Sequence, residues 1–181
     1  MLDIGKSVFQ AEVDASCELI DFLNFNIEFA YTMQNSFTPI SPDGMKNELE
    51  FRPLEGFVFA IAPFNFFSIG GNLAISPAIV GNTVLWKPAP SAVYSAYYIM
   101  ELYKEAGLPD GVFNVVNGDK EAVDALINNK DVVAMSFVGS TPIAKYIYEN
   151  CAKNEKRVQA LGGAKNHCVV MPDCDLEQAV N

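Results

Sequence analysis

The stretch GFVFAIAPFNFFSIGGNLAISPAIVGNTVLWKPAP, residues 56–90, decides the fold of this chain. Phe57–Ala62 and Thr83–Trp86 are short apolar runs rich in strand-forming residues. Between them, Ser68–Val80 consists mostly of small and apolar residues and predicts a helix that crosses back. Two apolar strands joined by a helical crossover predict a parallel sheet, and such sheets bind ligands at the carboxyl ends of their strands.

Two polar residues stand at these predicted strand ends. Asn65 follows the first strand in a Pro-Phe-Asn turn, and Lys87 ends the second strand before Pro88. Each has an ordinary explanation, because asparagine favours turns and a single lysine is usually solvated. Their shared position at one edge of the sheet makes both candidates for ligand binding.

The remainder of the chain repeats the alternation of strands and helices. Ala11–Gln34 is predicted as an amphipathic helix, followed by a turn-rich connection and an exposed strand at Glu48–Arg52. The apolar residues expected on the buried face of that helix are Val13, Cys17, Ile20, Leu23, Ile27, Ala30 and Tyr31. Further helices are predicted at 91–106, 120–128, 141–152 and from 175 onward, and further strands at 112–116, 132–137, 157–161 and 168–171. This order predicts a doubly wound α/β sheet with right-handed crossovers in a single domain, 1–181.

Composition and charge exclude several classes of function. The chain has 181 residues, of which 50% are hydrophobic and 19% charged, as in one globular domain. The net charge of −10 argues against a nucleic-acid partner, which requires clustered lysine and arginine. No uninterrupted apolar run approaches the roughly 20 residues of a membrane helix. Four cysteines without a Cys-x-x-Cys pair, and one histidine, argue against a metal site and are typical of reduced thiols in the cytoplasm or mitochondrial matrix.

Glycines between strands and helices are candidates for phosphate binding. Gly118 and the Gly139-Ser140 pair each precede a predicted helix, whose first N–H groups and positive dipole end favour an anion. The chain contains no G-x-G-x-x-G fingerprint. Ordinary turns and helix caps explain these residues equally well from spacing alone.

Five motifs in order resemble the aldehyde dehydrogenase superfamily. They are IAPFNF at 61–66, LWKPAP at 85–90, AGLPDGVFNVVNG at 106–118, SFVGS at 136–140 and LGGAKN at 161–166. The resemblance implies the Rossmann-like NAD-binding domain of that fold, in incomplete form. It also implies a small aldehyde as substrate and NAD as cofactor, with NADP left open because Pro90 replaces an acidic residue that often binds the ribose hydroxyls.

The resemblance assigns roles to individual residues. Asn65 would lie in the oxyanion hole, where its amide stabilises the alkoxide that forms when a cysteine thiolate attacks the aldehyde. Lys87 would bind the adenosine ribose, and Ser140 would contact the pyrophosphate. The remaining residues implied at the cofactor are Ile61, Pro63, Phe64, Gly118, Gly139, Leu161 and Gly162.

Two branches of the superfamily resemble different parts of the chain. Residues 5–114 look like the branch that oxidises glutamate γ-semialdehyde in proline breakdown. From Ser136 onward the chain looks more like the CoA-acylating branch that acts on methylmalonate semialdehyde, which makes CoA a second possible partner. Ala160 stands where most members carry a general-base glutamate, and transfer to CoA needs no such base.

The catalytic cysteine of the superfamily has no counterpart in this sequence. The family carries it in a Gly-Gln-x-Cys setting, and Cys168 and Cys174 lack that setting. We therefore expect the chain to be inactive alone, either as the cofactor-binding part of an enzyme or as a non-catalytic assembly partner. Because the family oligomerises through a β-hairpin, residues 35–52 would contribute to a homo-oligomer.

Overall fold

The structure is a computed structural model that describes residues 1–180. Its centre is a sheet of five parallel strands in the order β3-β2-β1-β4-β5. The order reverses between β1 and β4, as in a doubly wound α/β fold, so the predicted fold class is confirmed. The strands are β1 (Phe57–Ile61), β2 (Thr83–Lys87), β3 (Phe113–Val115), β4 (Val132–Val138) and β5 (Arg157–Leu161).

Helices connect these strands and cover both faces of the sheet. A continuous N-terminal helix begins as α1 (Val8–Ala11), passes through a π-helical segment (Glu12–Cys17) and continues as α2 (Glu18–Asn35). A 3-10 turn, Pro90–Ala92, precedes α4. The other helices are α3 (Phe67–Ile79), α4 (Val93–Glu105), α5 (Lys120–Asn128), α6 (Thr141–Lys153) and α7 (Leu176–Val180).

Two apolar clusters hold the layers together, one on each face of the sheet. Trp86 is 1% exposed and packs between α3 and α4, with its ring stacked against Phe113 at 5.8 Å. Phe59, fully buried, belongs to the opposite cluster, which α5 and α6 cover. Successive residues of a strand face opposite sides, so the unbroken apolar runs of β1 and β2 serve both clusters.

The small residues of α3 allow close contact with its neighbours. A Cβ added at Gly70 would lie 3.0 Å from Trp86 Cζ2, and one added at Gly71 would lie 2.7 Å from Leu19 Cδ1. The helix therefore approaches β2 on one side and α2 on the other more closely than alanine would allow. This is the physical reason for the small-residue composition of the crossover.

The predicted buried face of the N-terminal helix is wrong. Val13, Ile20, Ile27 and Tyr31 are 44–66% exposed. The helix instead packs on α3 through Leu19 and through polar pairs. Glu18 accepts a hydrogen bond from the Ser68 hydroxyl, and the Asn26 amide donates to Asn72 Oδ1 at 2.7 Å and Ser76 Oγ at 3.1 Å. Because α3 presents polar side chains and glycine, the polar side of the helix faces it.

Two predicted strands are also absent from the described part of the chain. Glu48–Arg52 and Cys168–Met171 have no regular structure. Both segments are exposed, and neither pairs with an edge of the sheet, which ends at β3 and β5. The assignment of 35–52 to an oligomerisation hairpin therefore stays a prediction, as does the single domain 1–181.

The helices give no sign of a membrane-spanning segment. Of those within residues 1–180, none combines the length and the apolar character needed to cross a bilayer.

Candidate functional site

The carboxyl edge of the sheet carries every residue that the sequence nominated. Asn65 follows β1, Lys87 ends β2, Gly118 follows β3, and Ser140 follows β4. The register aligns Ile61 with both Lys87 and Phe137, and Val138 with Leu161. Open parallel sheets bind ligands at this edge, beside the point where the strand order reverses. Here that point lies between β1 and β4.

The turn after β1 points polar and aromatic groups outward. Ile61 is 6% exposed, Pro63 is half-buried, and Phe64 is 60% exposed. Asn65 is exposed as well, so its amide is accessible to a ligand at the switch point. The exposed Phe64 ring supplies apolar surface beside that amide.

The ends of β4 and β5 are joined into one corner. Gly139 N–H donates to the Leu161 carbonyl at 3.1 Å, and Gly163 N–H donates to Thr141 Oγ1 at 2.9 Å. A Cβ added at Gly162 would lie 2.8 Å from Thr141 Oγ1 and 2.9 Å from its Cα. Glycine at 162 therefore allows the chain beyond β5 to pass directly over the start of α6.

The start of α6 is open to an anion. Ser140 is the N-cap residue, with extended backbone angles, and its hydroxyl makes no capping hydrogen bond. It is exposed, and α6 extends over 13 residues behind it. Pro142, the second residue of α6, has no N–H group, so the N–H groups of Thr141 and Ile143 and the Ser140 hydroxyl are the donors available to a phosphate oxygen.

Lys87 is a buried lysine with few partners. Its residue is 6% exposed, and its ammonium donates to the Pro88 carbonyl oxygen at 3.1 Å. Burial lowers the pKa of Lys87, while the negative charge of Asp119 opposes that shift. None of the ion pairs among residues 1–180 includes Lys87. Because an ammonium has three donors, Lys87 retains hydrogen-bonding capacity for a ligand.

A cleft of about 260 Å³ lies beside the end of β2. Its walls are Pro88, Pro90, Val93, Asn117, Gly118 and Asp119. Gly118 has φ +152°, and a Cβ there would lie 2.7 Å from Ala122 Cβ, so the wall at this point must be glycine. A larger cleft of about 470 Å³ lies between α3 and the exposed face of β4 and β5, away from the strand ends, and includes none of the nominated residues.

Sequence reasoning missed three residues of this edge. Asp119 enters the cleft from the start of α5, Thr141 holds the turn after β5, and Pro88 accepts the hydrogen bond from Lys87. An aspartate that follows Asn-Gly and precedes a helix is typical of an N-cap residue. Because this local pattern explains Asp119, the sequence did not indicate that the residue also lines the cleft. Within residues 1–180, no three histidine, cysteine, aspartate or glutamate side chains cluster as metal ligands do.

Comparison with known proteins assigns the class. The sheet is doubly wound and parallel, and amide, ammonium and helix N–H donors lie at its carboxyl edge, where the strand order reverses. This arrangement is typical of dinucleotide-binding domains. The profile of the aldehyde dehydrogenase family matches residues 1–181, and the chain belongs to that family.

Its relatives include enzymes from two branches. The chain is 40% identical over 186 residues to Delta-1-pyrroline-5-carboxylate dehydrogenase from Agaricus bisporus, covering 99% of this chain and 34% of that protein. The structure of Delta-pyrroline-5-carboxylate dehydrogenase from Mycobacterium tuberculosis bound with NAD superposes with a TM-score of 0.81 and 47% identity, over 85% of this chain and 29% of that one. The structure of methylmalonate-semialdehyde dehydrogenase from Oceanimonas doudoroffii superposes with a TM-score of 0.66 and 57% sequence identity. The match covers 72% of this chain and 27% of that one. The chain thus spans about a third of the length of the curated relatives it matches.

Proposed function

We propose that this chain forms the cofactor-binding part of an NAD-dependent aldehyde dehydrogenase. The observation that carries the proposal is the carboxyl edge of the sheet, where the ends of β1, β2 and β4 carry Asn65, Lys87 and Ser140. Asn65 and Ser140 are exposed there, and the buried Lys87 ammonium retains unused donors. The NAD bound by the Mycobacterium tuberculosis relative supports the choice of cofactor.

The residues of the edge fit the parts of a dinucleotide. Lys87 would donate to the adenosine ribose in the cleft beside β2, and Ser140 with the first N–H groups of α6 would hold the pyrophosphate. Gly118 and Gly139 would let the backbone approach the cofactor. Ile61, Pro63, Phe64, Leu161 and Gly162 would form the walls toward the nicotinamide, which accepts a hydride when bound.

Asn65 would act on the substrate rather than the cofactor. Its exposed side-chain amide lies at the switch point, where it would donate to the aldehyde oxygen as that oxygen gains negative charge. Cys168 and Cys174 lack the Gly-Gln-x-Cys setting of the family's nucleophile, and Cys151 would not replace it. Cys151 is buried, and burial raises the pKa of its thiol, so it lacks the exposed thiolate of a nucleophile. We expect the 181-residue chain to bind NAD without oxidising an aldehyde.

For the substrate of the complete enzyme we propose glutamate γ-semialdehyde. The names of the Agaricus bisporus and Mycobacterium tuberculosis relatives support this choice, since both are pyrroline-5-carboxylate dehydrogenases. The alternative is CoA-dependent oxidation of methylmalonate semialdehyde. Two observations favour it: Ala160, whose methyl group cannot serve as a general base, and the 57% identity to the Oceanimonas doudoroffii enzyme.

The test is calorimetric titration of NAD into the 181-residue chain and into Lys87→Met. Methionine is an unbranched side chain one atom shorter than lysine and has no donors. We therefore expect a loss of affinity of about tenfold or more, equivalent to one charge-assisted hydrogen bond. Lys130→Met is the matched control, because Lys130 is exposed and precedes β4 at the opposite edge. Equal NAD affinity in the unmodified chain and in Lys87→Met would refute the site.

A further inference from the structure

We propose that the Asp119 carboxylate makes this site select NAD against NADP. The inference rests on the proposed function and adds a determinant of cofactor specificity to it. Asp119 lines the same cleft as Pro88 and Pro90, where the ribose of the adenosine would bind. The two cofactors differ only at this ribose, where NADP carries a 2′-phosphate.

The carboxylate is free to face the cleft. Asp119 is the N-cap residue of α5, yet its side chain makes no capping hydrogen bond, and the residue is exposed. Its carbonyl oxygen, not its carboxylate, accepts the bond from Val123 N–H that starts the helix. The charge of Asp119 also acts on the nearby Lys87 ammonium. The carboxylate thus has no internal partner in α5 that would hold it away from a ligand.

The neighbouring cation does not compensate for this charge. Lys120 follows Asp119 directly, but its ammonium pairs with Asp124 one helical turn along α5 and donates to Tyr146 Oη of α6 at 3.2 Å. It also lies 4.8 Å from the centre of the Tyr146 ring, and Tyr146 Oη donates to Asp124 Oδ1 at 2.7 Å. The Lys120 ammonium therefore lies at the contact between α5 and α6, beside Asp124 and Tyr146.

The side chains of the other wall residues offer little to a phosphate. Pro88 and Pro90 have no N–H groups, Val93 is apolar, and Asn117 supplies one neutral amide. Lys87, which directly precedes the wall residue Pro88, would already be used by the ribose. A 2′-phosphate brings about −1.5 to −2 charges at pH 7. It would meet one carboxylate and no arginine, whereas the neutral 2′-hydroxyl of NAD can donate a hydrogen bond to that carboxylate.

The experiment measures the dissociation constants of NAD and NADP for the 181-residue chain, Asp119→Asn and Asp110→Asn. Asparagine keeps the shape of the side chain and is an equally good N-cap, so the fold is preserved. Asp110→Asn makes the same change in net charge, but Asp110 precedes β3 and lies at the opposite edge of the sheet. Circular dichroism of all three proteins verifies that they are folded.

We expect the unmodified chain and Asp110→Asn to prefer NAD by tenfold or more, and Asp119→Asn to reduce that preference about tenfold, chiefly through tighter NADP binding. Equal binding of the two cofactors by the unmodified chain would overturn the inference while leaving the proposed function intact. An unchanged preference in Asp119→Asn would overturn the role of this residue. Binding of neither cofactor would refute the proposed function, and the inference with it.

Discussion

Replacement of Lys87 by methionine should stabilise the fold while it weakens the binding of NAD. The Lys87 ammonium is almost completely buried and donates to one backbone carbonyl. A buried donor without a partner costs about 1–3 kcal/mol, and methionine removes that cost with nearly the same volume. After subtracting the one hydrogen bond that is lost, we expect a net gain of about 1 kcal/mol. For a chain of this size that gain raises Tm by about 2–4 °C.

The gain should depend on pH in a direction set by the pKa of Lys87. Burial lowers that pKa in the folded protein, so the charged form destabilises the fold. Below the lowered pKa the penalty is fully present, and it disappears as pH rises through the lowered pKa toward the ordinary value of 10.5, above which lysine is neutral in both states. The advantage of Lys87→Met over the unmodified chain should therefore be largest near neutrality and shrink in alkali.

Urea unfolding followed by circular dichroism measures this difference at several pH values. Lys130→Met serves as the control, because an exposed lysine should change the free energy of unfolding by no more than about 0.5 kcal/mol. If Lys87→Met unfolds more easily than the unmodified chain near pH 7, the lysine supports the fold. This result would refute the argument that Lys87 destabilises the fold and serves to bind a ligand.

Three further predictions concern the corner after β5, the N-terminal helix and the buried thiol. Gly162→Ala should lower the free energy of unfolding by about 1–3 kcal/mol, because its Cβ would lie 2.9 Å from backbone, whereas Gly163→Ala meets a single side-chain atom at 3.3 Å and should cost less; urea titration compares the two. Asn26→Ala should cost about 1–2 kcal/mol in the same assay, because it removes two hydrogen bonds to α3, and Ile27→Ala, at an exposed position, should cost under about 0.5 kcal/mol. If Ile27→Ala lowered the free energy of unfolding more than Asn26→Ala, the apolar side of the helix predicted from the sequence would be the buried one. With a thiol reagent at pH 8, Cys151 should react far more slowly than the three exposed cysteines, since burial raises its pKa; four equal rates would contradict this.

Patterns that depend on neighbouring residues were readable from the sequence. The apolar runs that become β1 and β2, the small-residue crossover that becomes α3, and the bounds of α5 and β5 follow from local periodicity and turn residues. The alternation of strands and helices then leaves few arrangements besides a parallel sheet with right-handed crossovers. The place of Asn65 and Lys87 at one edge follows from that topology alone.

Local patterns gave wrong predictions where contacts with other elements decide which face is buried or whether a strand forms. The N-terminal helix has an apolar stripe by spacing, but which side is buried depends on the glycine and polar groups that α3 presents to it. Similarly, the short runs Glu48–Arg52 and Cys168–Met171 have strand composition, yet a strand forms only where an edge offers hydrogen bonds, and neither run lies on one.

The sequence by itself determined the sheet, its family and the strand ends where a cofactor would bind, because periodicity, turn residues and motif order are local properties of the chain. Only the tertiary structure decided what lies around those ends. Lys87 is buried because other elements cover β2. Asp119 lines the same cleft as Pro90 because β3 pairs with β2 and carries the start of α5 to the same edge. Burial and charge at a site are sums over all neighbours in space, and the pairing of strands chooses those neighbours.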